Sequence, residues 1–268
     1  MTKRVFLAMP RGGDQVTAAA LEAALQDHGP GLSVTFEGHP SSLLQFGYTE
    51  LWAKCLNSKK DYDWLAMLHS DVVPRGPFLR TLIEQAIAGG FEVMHSPQAI
   101  KEVRGITSTM GAFSLDPWAL KRRLTVTELQ HLPDTFGVEE INACLGWDAK
   151  YLLPNSGCIV IKLGPAWRRF PGFHCLTRSS VWFPGTREVI PAADVTDVRF
   201  EDPHQFVAQV VDEDALLGLW CAERGLKVGG TRLVPSNHHG LGQYPNDCEW
   251  GTSDVDEAYF AVRAGAGV

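Results

Sequence analysis

Three short polar clusters hold the residue types that can do chemistry in this chain. They are His69-Ser-Asp71, Asp212-Glu-Asp214 and Asn237-His-His239. Each cluster adjoins an apolar run, so each is expected near the end of a strand or helix. Carboxylates and imidazoles are ligands for divalent cations, and such a cation can hold the phosphates of a nucleotide. A carboxylate can also accept the proton of an attacking hydroxyl group.

Each cluster also has an ordinary structural explanation. Asp71 can cap the helix that follows it, and the acids of Asp212-Glu-Asp214 complement the dipole of a helix that begins there. Adjacent histidines in a Gly-rich loop are commonly solvated. Because a metal site needs groups from distant positions to converge, the sequence leaves both interpretations open for each cluster.

The elements that must position these clusters alternate between strand and helix patterns. Strands are predicted at residues 5–9, 32–36 and 64–68, each followed by a helical pattern. This alternation indicates a mainly parallel sheet with helices on both faces. Residues 64–68 are apolar without alternation, which predicts a strand buried on both faces. Ligands bind outside the carboxyl ends of such strands, where His69-Ser-Asp71 stands.

The second half of the chain has weaker patterns. Residues 106–115 are expected to form an edge strand or a hairpin arm, and residues 116–123 a short helix. The Pro-, Gly- and aromatic-rich residues 171–205 are expected to form a long functional loop. A helix is predicted from about Asp212 to Gly225, and a polar string at residues 235–240 follows two short strand pieces.

Composition limits the classes of protein to consider. The 268 residues are 45% hydrophobic and 21% charged, which is enough for one large α/β domain or two small ones. The formal net charge of −7 argues against broad adhesion to nucleic acid or anionic membranes. The six cysteines are scattered without a C-x-x-C motif, which predicts reduced thiols in a cytoplasmic protein. No membrane span is expected, since no apolar stretch is long enough.

In their order along the chain, these clusters resemble the motifs of nucleotide-sugar-dependent glycosyltransferases of the GT-A fold. The resemblance runs from Val5 to about Tyr244 and is carried by short motifs. The matching segments are Val5-Phe-Leu-Ala-Met-Pro10, Leu68-His-Ser-Asp-Val-Val-Pro74, Asn155-Ser-Gly157, Asp212-Glu-Asp-Ala-Leu-Leu217 and His238-His-Gly240.

This resemblance implies a fold and a domain organisation. The expected fold is α/β, with a GT-A-like, Rossmann-type mixed sheet that is mainly parallel and has helices on both faces. One domain would cover residues 1–268, with a nucleotide-binding part at about 1–115 and an acceptor-side part at about 116–250.

The resemblance also implies roles for individual residues. A Mn²⁺ or Mg²⁺ ion would be held by Asp71 and His238, with His69 as a further candidate ligand, and His69 stands where the family's D-x-D motif has its first acid. In an inverting mechanism Asp214 or Glu213 would take the acceptor's proton, whereas a retaining mechanism needs no such base. The residues expected at the donor are Ala8, Pro10, His69, Ser70, Asp71, Lys101 and Gly157.

The function implied is transfer of a hexose or pentose from a nucleotide-diphosphate sugar, UDP-sugar first of all, to a hydroxyl acceptor. The acceptor stays open between a glycan, a small molecule, a protein and a hydroxymethylated DNA base. One alternative is a sugar-nucleotidyltransferase, although Arg11-Gly-Gly-Asp14 matches the signature loop of those enzymes only in part. A second is a non-catalytic nucleotide-sugar-binding module, for which the histidine at position 69 is the best support.

Overall fold

The chain has an α/β fold built around a seven-stranded sheet. The described part has six α-helices, and three smaller sheets accompany the large one. The computed structural model describes residues 2–12, 17–41, 43–119, 121–182, 189–191, 205–240 and 242–251.

Strands and helices alternate in the first third of the chain, and strands dominate thereafter. The strands are β1 (Lys3–Gly12), β2 (Leu32–Ser41), β3 (Trp64–Leu68), β4 (Val72–Pro74), β5 (Val93–His95), β6 (Ile106–Ala112), β7 (Lys121–Thr125), β8 (Thr135–Phe136), β9 (Tyr151–Leu153), β10 (Cys158–Lys162), β11 (Leu176–Trp182), β12 (Val189–Pro191), β13 (Gln205–Val211), β14 (Val228–Thr231), β15 (Ser236–His239) and β16 (Gln243–Pro245). The helices are α1 (Ala18–Leu25), α2 (Leu44–Asn57), α3 (Phe78–Gly89), α4 (Val126–Gln130), α5 (Val138–Leu145) and α6 (Glu213–Glu223).

The large sheet has the strand order β2-β1-β3-β10-β5-β14-β8. β1 is parallel to both β2 and β3, whereas β10 is antiparallel to its neighbours β3 and β5. β14 is parallel to β5, and β8 is antiparallel to β14. The sheet is therefore mixed, with β10 and β8 running against the other strands, and the predicted α/β class is confirmed.

The three smaller sheets are antiparallel, and so are three of the six strand pairings of the large sheet, so the prediction of a mainly parallel sheet is confirmed only in part. Their strand orders are β12-β11-β13, β16-β15-β4 and β7-β6-β9. β4 and β15 lie just beyond the large sheet, since β4 begins four residues after β3 ends. This small sheet ties the late part of the chain to the tip of β3.

Helices cover both faces of the large sheet because successive side chains of a buried strand alternate between its faces. α1 and α3 pack on the face formed by Leu7, Ala66 and Leu68. α2 and α6 pack on the opposite face, against Leu65 and Met67. All five residues of β3 are buried, as predicted from its unbroken apolar run.

Several predictions for the second half were wrong. Residues 121–125 form β7 and not a helix end, because they pair with β6 and bury the side chains of Lys121 and Arg123. Residues 176–182 form β11 inside the expected loop, and 236–239 form β15 inside the polar string. Both strands are made by pairing with partners that are distant in the sequence, β13 and β4.

The six cysteines are free thiols. Burial raises the pKa of the Cys55 thiol to about 12, so this side chain packs as an uncharged group. None of the helices in the described part of the chain is long and apolar enough to cross a membrane.

One buried histidine, His95, is expected to affect stability in acid. His95 ends β5 and is fully buried, with Nδ1 2.9 Å from the Gly229 carbonyl oxygen and Nε2 2.9 Å from Thr109 Oγ1. A carbonyl only accepts hydrogen bonds, so Nδ1 carries the hydrogen and Nε2 accepts from the Thr109 hydroxyl. Burial lowers the pKa of His95 to about 3, and the imidazole is neutral in the folded protein.

We expect the free energy of unfolding to fall as the pH is lowered below about 6.5, because His95 takes up a proton in the unfolded chain but not in the folded one. This histidine alone should cost roughly 2 kcal/mol between pH 7 and pH 5. Urea unfolding at both pH values measures the loss. His95→Gln keeps a donor and an acceptor without titrating, so its pH dependence should be shallower, and equal slopes in the two proteins would contradict the assignment.

Candidate functional site

The three predicted polar clusters meet at one edge of the large sheet. β1, β2 and β3 are parallel, so their carboxyl ends lie together, and His69 directly follows β3. β10 runs the other way, with Cys158 beside Leu68, so the turn that precedes β10 reaches the same edge. The His69 N–H donates to the Gly157 carbonyl oxygen over 2.9 Å, which joins the two segments.

The pairing of β15 with β4 brings the late histidines to this edge. His238 is paired with Val72, and the His239 N–H donates to the Asp71 carbonyl oxygen over 2.7 Å. Alternation along β15 turns His238 and His239 to opposite sides. His238 faces the Asp71 side chain, as its predicted role requires.

Asp71 is the centre of a cluster of three basic side chains. Its Oδ1 lies 3.6 Å from His238 Nε2 and 4.0 Å from His69 Nδ1, whereas its Oδ2 accepts a hydrogen bond from Lys101 Nζ. Burial by itself raises the pKa of the Asp71 carboxyl group, but His238, His69 and Lys101 together lower it below its ordinary value. Asp71 is therefore a carboxylate at neutral pH.

The hydrogen bond of His238 determines which ring nitrogen can bind a cation. His238 Nδ1 lies 2.8 Å from the Ala99 carbonyl oxygen, so Nδ1 must donate its hydrogen there. In neutral His238 the lone pair is then on Nε2, and it faces Asp71 Oδ1 across 3.6 Å. Two acceptors so placed are slightly farther apart than the ~3 Å between adjacent ligands of one Mg²⁺ or Mn²⁺ ion.

His69 is held from its other side by Tyr48 and Ser156. Its Nε2 is in hydrogen-bond contact with the Tyr48 hydroxyl and lies 3.3 Å from Ser156 Oγ. Burial lowers the pKa of His69 to about 4, against the opposing charge of Asp71, so the imidazole is neutral at physiological pH. Its Nδ1 faces the Asp71 carboxylate.

The acids at the start of α6 have different environments. Asp212 is the N-cap: its Oδ1 accepts from the Ala215 N–H over 2.9 Å, and its Oδ2 lies 3.3 Å from Arg123 Nη2. Asp214 Oδ1 accepts from the Ser156 N–H over 2.7 Å. Burial, together with the charges of Asp212 and Glu213, raises the pKa of Asp214 well above its ordinary value.

Glu213 contacts a different set of side chains from Asp214. Its Oε2 lies 3.3 Å from Cys175 Sγ and 3.4 Å from Gln45 Nε2. Burial and the adjacent Glu213 raise the pKa of Cys175 to about 11, so the thiol donates its hydrogen to the carboxylate. These contacts connect the first turn of α6 to α2 and β11.

Ser156 connects the Asp71 cluster to the acids of α6. Its main-chain N–H binds Asp214, and its hydroxyl lies 3.3 Å from both His69 Nε2 and the Tyr48 hydroxyl. Neither Ser156 nor Tyr48 was among the site residues predicted from the sequence. The sequence does offer a signal for Ser156, which is its place in the Asn155-Ser-Gly157 turn motif. Tyr48 lies in the apolar face of α2 and is fully buried, so no sequence pattern distinguishes it from a core residue.

Two other predicted donor residues, Ala8 and Pro10, are buried in β1, where Ala8 is paired with Glu37 of β2 and Met67 of β3. The Ala8 methyl group is in the core, so this side chain does not reach the edge of the sheet. Ser70 is buried, and its carbonyl oxygen accepts from the Thr17 N–H over 3.0 Å. At Gly157 a Cβ would lie 3.0 Å from Asn155 Nδ2 and 3.3 Å from Gln98 Cγ, so a larger residue would require these side chains to shift.

The cluster around Asp71 fits a metal ion only in part. Among the residues that the structure describes, no three His, Cys, Asp or Glu side chains are already arranged to hold one. The chemistry of Asp71 Oδ1 and His238 Nε2 suits a divalent cation, because the first is charged and the second carries a lone pair directed towards it when the imidazole is neutral. Such a pair needs further oxygen ligands, which the phosphates of a nucleotide can supply.

Replacing Asp212 tests the roles assigned within α6. Asp212→Ala and Asp212→Asn both lose the ion pair with Arg123, but Asn still caps the helix, so Asp212→Ala should lower the free energy of unfolding by about 1 kcal/mol more than Asp212→Asn. Asp212→Asn should nevertheless lower the pKa of Asp214, because it removes a neighbouring negative charge. Urea unfolding and carboxyl ¹³C titration measure the two effects. Equal stability losses in both variants would remove the cap assignment.

Comparisons with known proteins add little to this geometry. No protein-family model and no curated protein matches the chain. Among solved structures, the chain is similar to the "Crystal Structure of A197 from STIV", with 13% sequence identity and a TM-score of 0.48. That match covers 89% of this chain and 86% of the other. A likeness at this level carries no conclusion about function.

Proposed function

We propose that the protein is a GT-A-type glycosyltransferase that moves a sugar from a nucleotide-diphosphate sugar, UDP-sugar in the first instance, to a hydroxyl acceptor with the help of Mn²⁺ or Mg²⁺. The main support is the arrangement at the carboxyl edge of the sheet: the Asp71 cluster lies next to Asp214, with Ser156 in contact with both. On this proposal, the group that would bind the leaving diphosphate and the group that would accept the proton belong to one site. Under this proposal the large sheet is of the Rossmann type found in the GT-A fold, and the protein is cytoplasmic.

On the donor side, Asp71 Oδ1 and His238 Nε2 would hold the cation, with His69 Nδ1 as a further ligand. A divalent cation there would stabilise the negative charge that develops on the departing nucleoside diphosphate. Lys101 adds a positive charge beside Asp71. The buried Tyr48 hydroxyl holds the His69 ring from behind and thereby orients its Nδ1 towards Asp71.

On the acceptor side, Asp214 is the better candidate for the base. Burial and the charges of Asp212 and Glu213 raise its pKa, which increases the affinity of the carboxylate for a proton. The hydrogen bond from the Ser156 N–H fixes the carboxylate on the sheet side of α6. Glu213 is the second candidate, and its contacts with Gln45 and Cys175 direct it towards α2 and β11.

The function is tested by incubating the protein with a panel of nucleotide sugars and Mn²⁺ and following hydrolysis, then transfer, by mass spectrometry. Turnover of one donor is expected. Binding of UDP with Mn²⁺ by isothermal titration calorimetry, without turnover of any donor, would instead favour a non-catalytic binding module. Formation of a nucleotide sugar from a nucleoside triphosphate and a sugar phosphate would identify a sugar-nucleotidyltransferase.

The proposed metal site can be tested by metal binding alone, without a sugar donor or acceptor. Asp71→Asn keeps the shape of the side chain but loses its charge, and should abolish detectable Mn²⁺ binding in the presence of UDP. His238→Ala should weaken Mn²⁺ binding by roughly 10- to 100-fold, the range seen when groups around a metal are altered. His239→Ala is the matched control and should have little effect, because His239 faces away from Asp71. Equal effects of the two histidine variants would contradict His238 as a ligand.

The base makes a prediction about turnover. If Asp214 takes the acceptor's proton, Asp214→Asn should lower kcat by ~10²–10⁴-fold with little change in donor affinity, since a base acts in the transition state. Glu213→Gln should cost less. Steady-state kinetics and the melting temperature should be measured on both variants. An active but destabilised Asp214→Asn would assign Asp214 a structural role through its bond to Ser156.

A further inference from the structure

The ion pair between Lys101 and Asp71 occupies one oxygen of the carboxylate proposed to hold the metal. Lys101 Nζ hydrogen-bonds Asp71 Oδ2, and both side chains are only partly exposed, 33% and 29%. The other oxygen, Oδ1, faces the two imidazoles. In the protein without ligands, the negative charge of Asp71 is therefore already balanced by a cation that belongs to the chain.

Gly240, the glycine of His238-His-Gly240, leaves room for the stem of Lys101 beside Asp71. A Cβ on Gly240 would lie 2.9 Å from Lys101 Cδ and 3.4 Å from its Cγ, so the aliphatic stem passes directly over this residue. Gly240 and Lys101 come from segments far apart in the sequence, and both lie beside His238, whose Nδ1 binds the Ala99 carbonyl oxygen. The late H-x-G segment thus provides both His238, which faces Asp71, and the space beside Gly240 that the stem of Lys101 occupies.

Two cations cannot share Asp71 without repelling each other. A divalent ion at Oδ1 would lie a few ångströms from the ammonium group on Oδ2, and like charges at that separation interact strongly in a partly buried site. A diphosphate changes this balance, because its oxygens offer the ammonium group another anionic partner within reach of a flexible side chain. Lys101 can then leave Asp71 without losing its ion pair.

We propose that Lys101 is a tethered cation that holds Asp71 in the unliganded protein and transfers to the diphosphate of the donor, which frees Asp71 for the divalent metal. This inference rests on the proposed function and adds the order of events at the same site. Its consequence is coupling: the metal binds weakly alone, the nucleotide binds weakly alone, and each raises the affinity for the other by the same factor.

Calorimetric titrations of the full chain test the coupling without any assay of activity. Mn²⁺ is titrated with and without UDP, and UDP with and without Mn²⁺, into the wild type and Lys101→Met. Removing the ammonium group should make Mn²⁺ alone bind about tenfold tighter, UDP alone bind more weakly, and the mutual enhancement fall, all within the range usual for coupled sites. Arg104→Met is the matched control, because Arg104 is in the same loop but forms its ion pair with Glu102.

A second variant moves Lys101 without removing its charge. Gly240→Ala crowds the stem of Lys101, so Mn²⁺ alone should again bind more tightly than to the wild type, while the ammonium group stays available to UDP. Mn²⁺ affinity at or below the wild-type value in Lys101→Met, or an unchanged mutual enhancement, overturns the inference and leaves the proposed function standing. If neither Mn²⁺ nor UDP binds the wild type or any variant, the proposed function fails and this inference with it.

Discussion

The burial of β3 on both faces is the constraint on which the candidate site depends. Between β1 and β10, a polar side chain on this strand would lie in the core, so the first polar residue is His69, immediately after Leu68. The reversed direction of β10 then brings Ser156 and Gly157 to the same edge. Polar groups from separate parts of the chain therefore converge where the apolar strands end.

Electrostatics divides this edge into two parts with opposite behaviour. Asp71 is surrounded by Lys101 and two imidazoles, which lower the pKa of its carboxyl group and keep it charged. Asp214 lies beside other acids and is partly buried, and burial together with their charges raises the pKa of its carboxyl group. Carboxyl groups whose pKa values are pushed apart in this way can take different roles, one as a permanent anion and the other as a proton acceptor.

Local sequence patterns predicted correctly those elements whose structure depends mainly on their own residues. The unbroken apolar run of β3, the helical spacing in α3 and the acid-capped start of α6 all correspond to observed elements. The same patterns failed for β7, β11 and β15. These strands exist because of partners elsewhere in the chain, and residues such as Arg123 resemble a solvated surface until the pairing buries them.

The sequence by itself determined the α/β class, the buried central strand and the position of His69-Ser-Asp71 at its tip, because burial and periodicity can be inferred from residues that are neighbours in the chain. It also named several of the residues that meet at the site, among them Asp214, His238 and Lys101. Only the tertiary structure decided which atoms face one another. The turn of His238 towards Asp71, the ion pair of Lys101 passing over Gly240, and the link through Ser156 and Tyr48 all depend on contacts between segments far apart in the chain, and no local pattern encodes such distances.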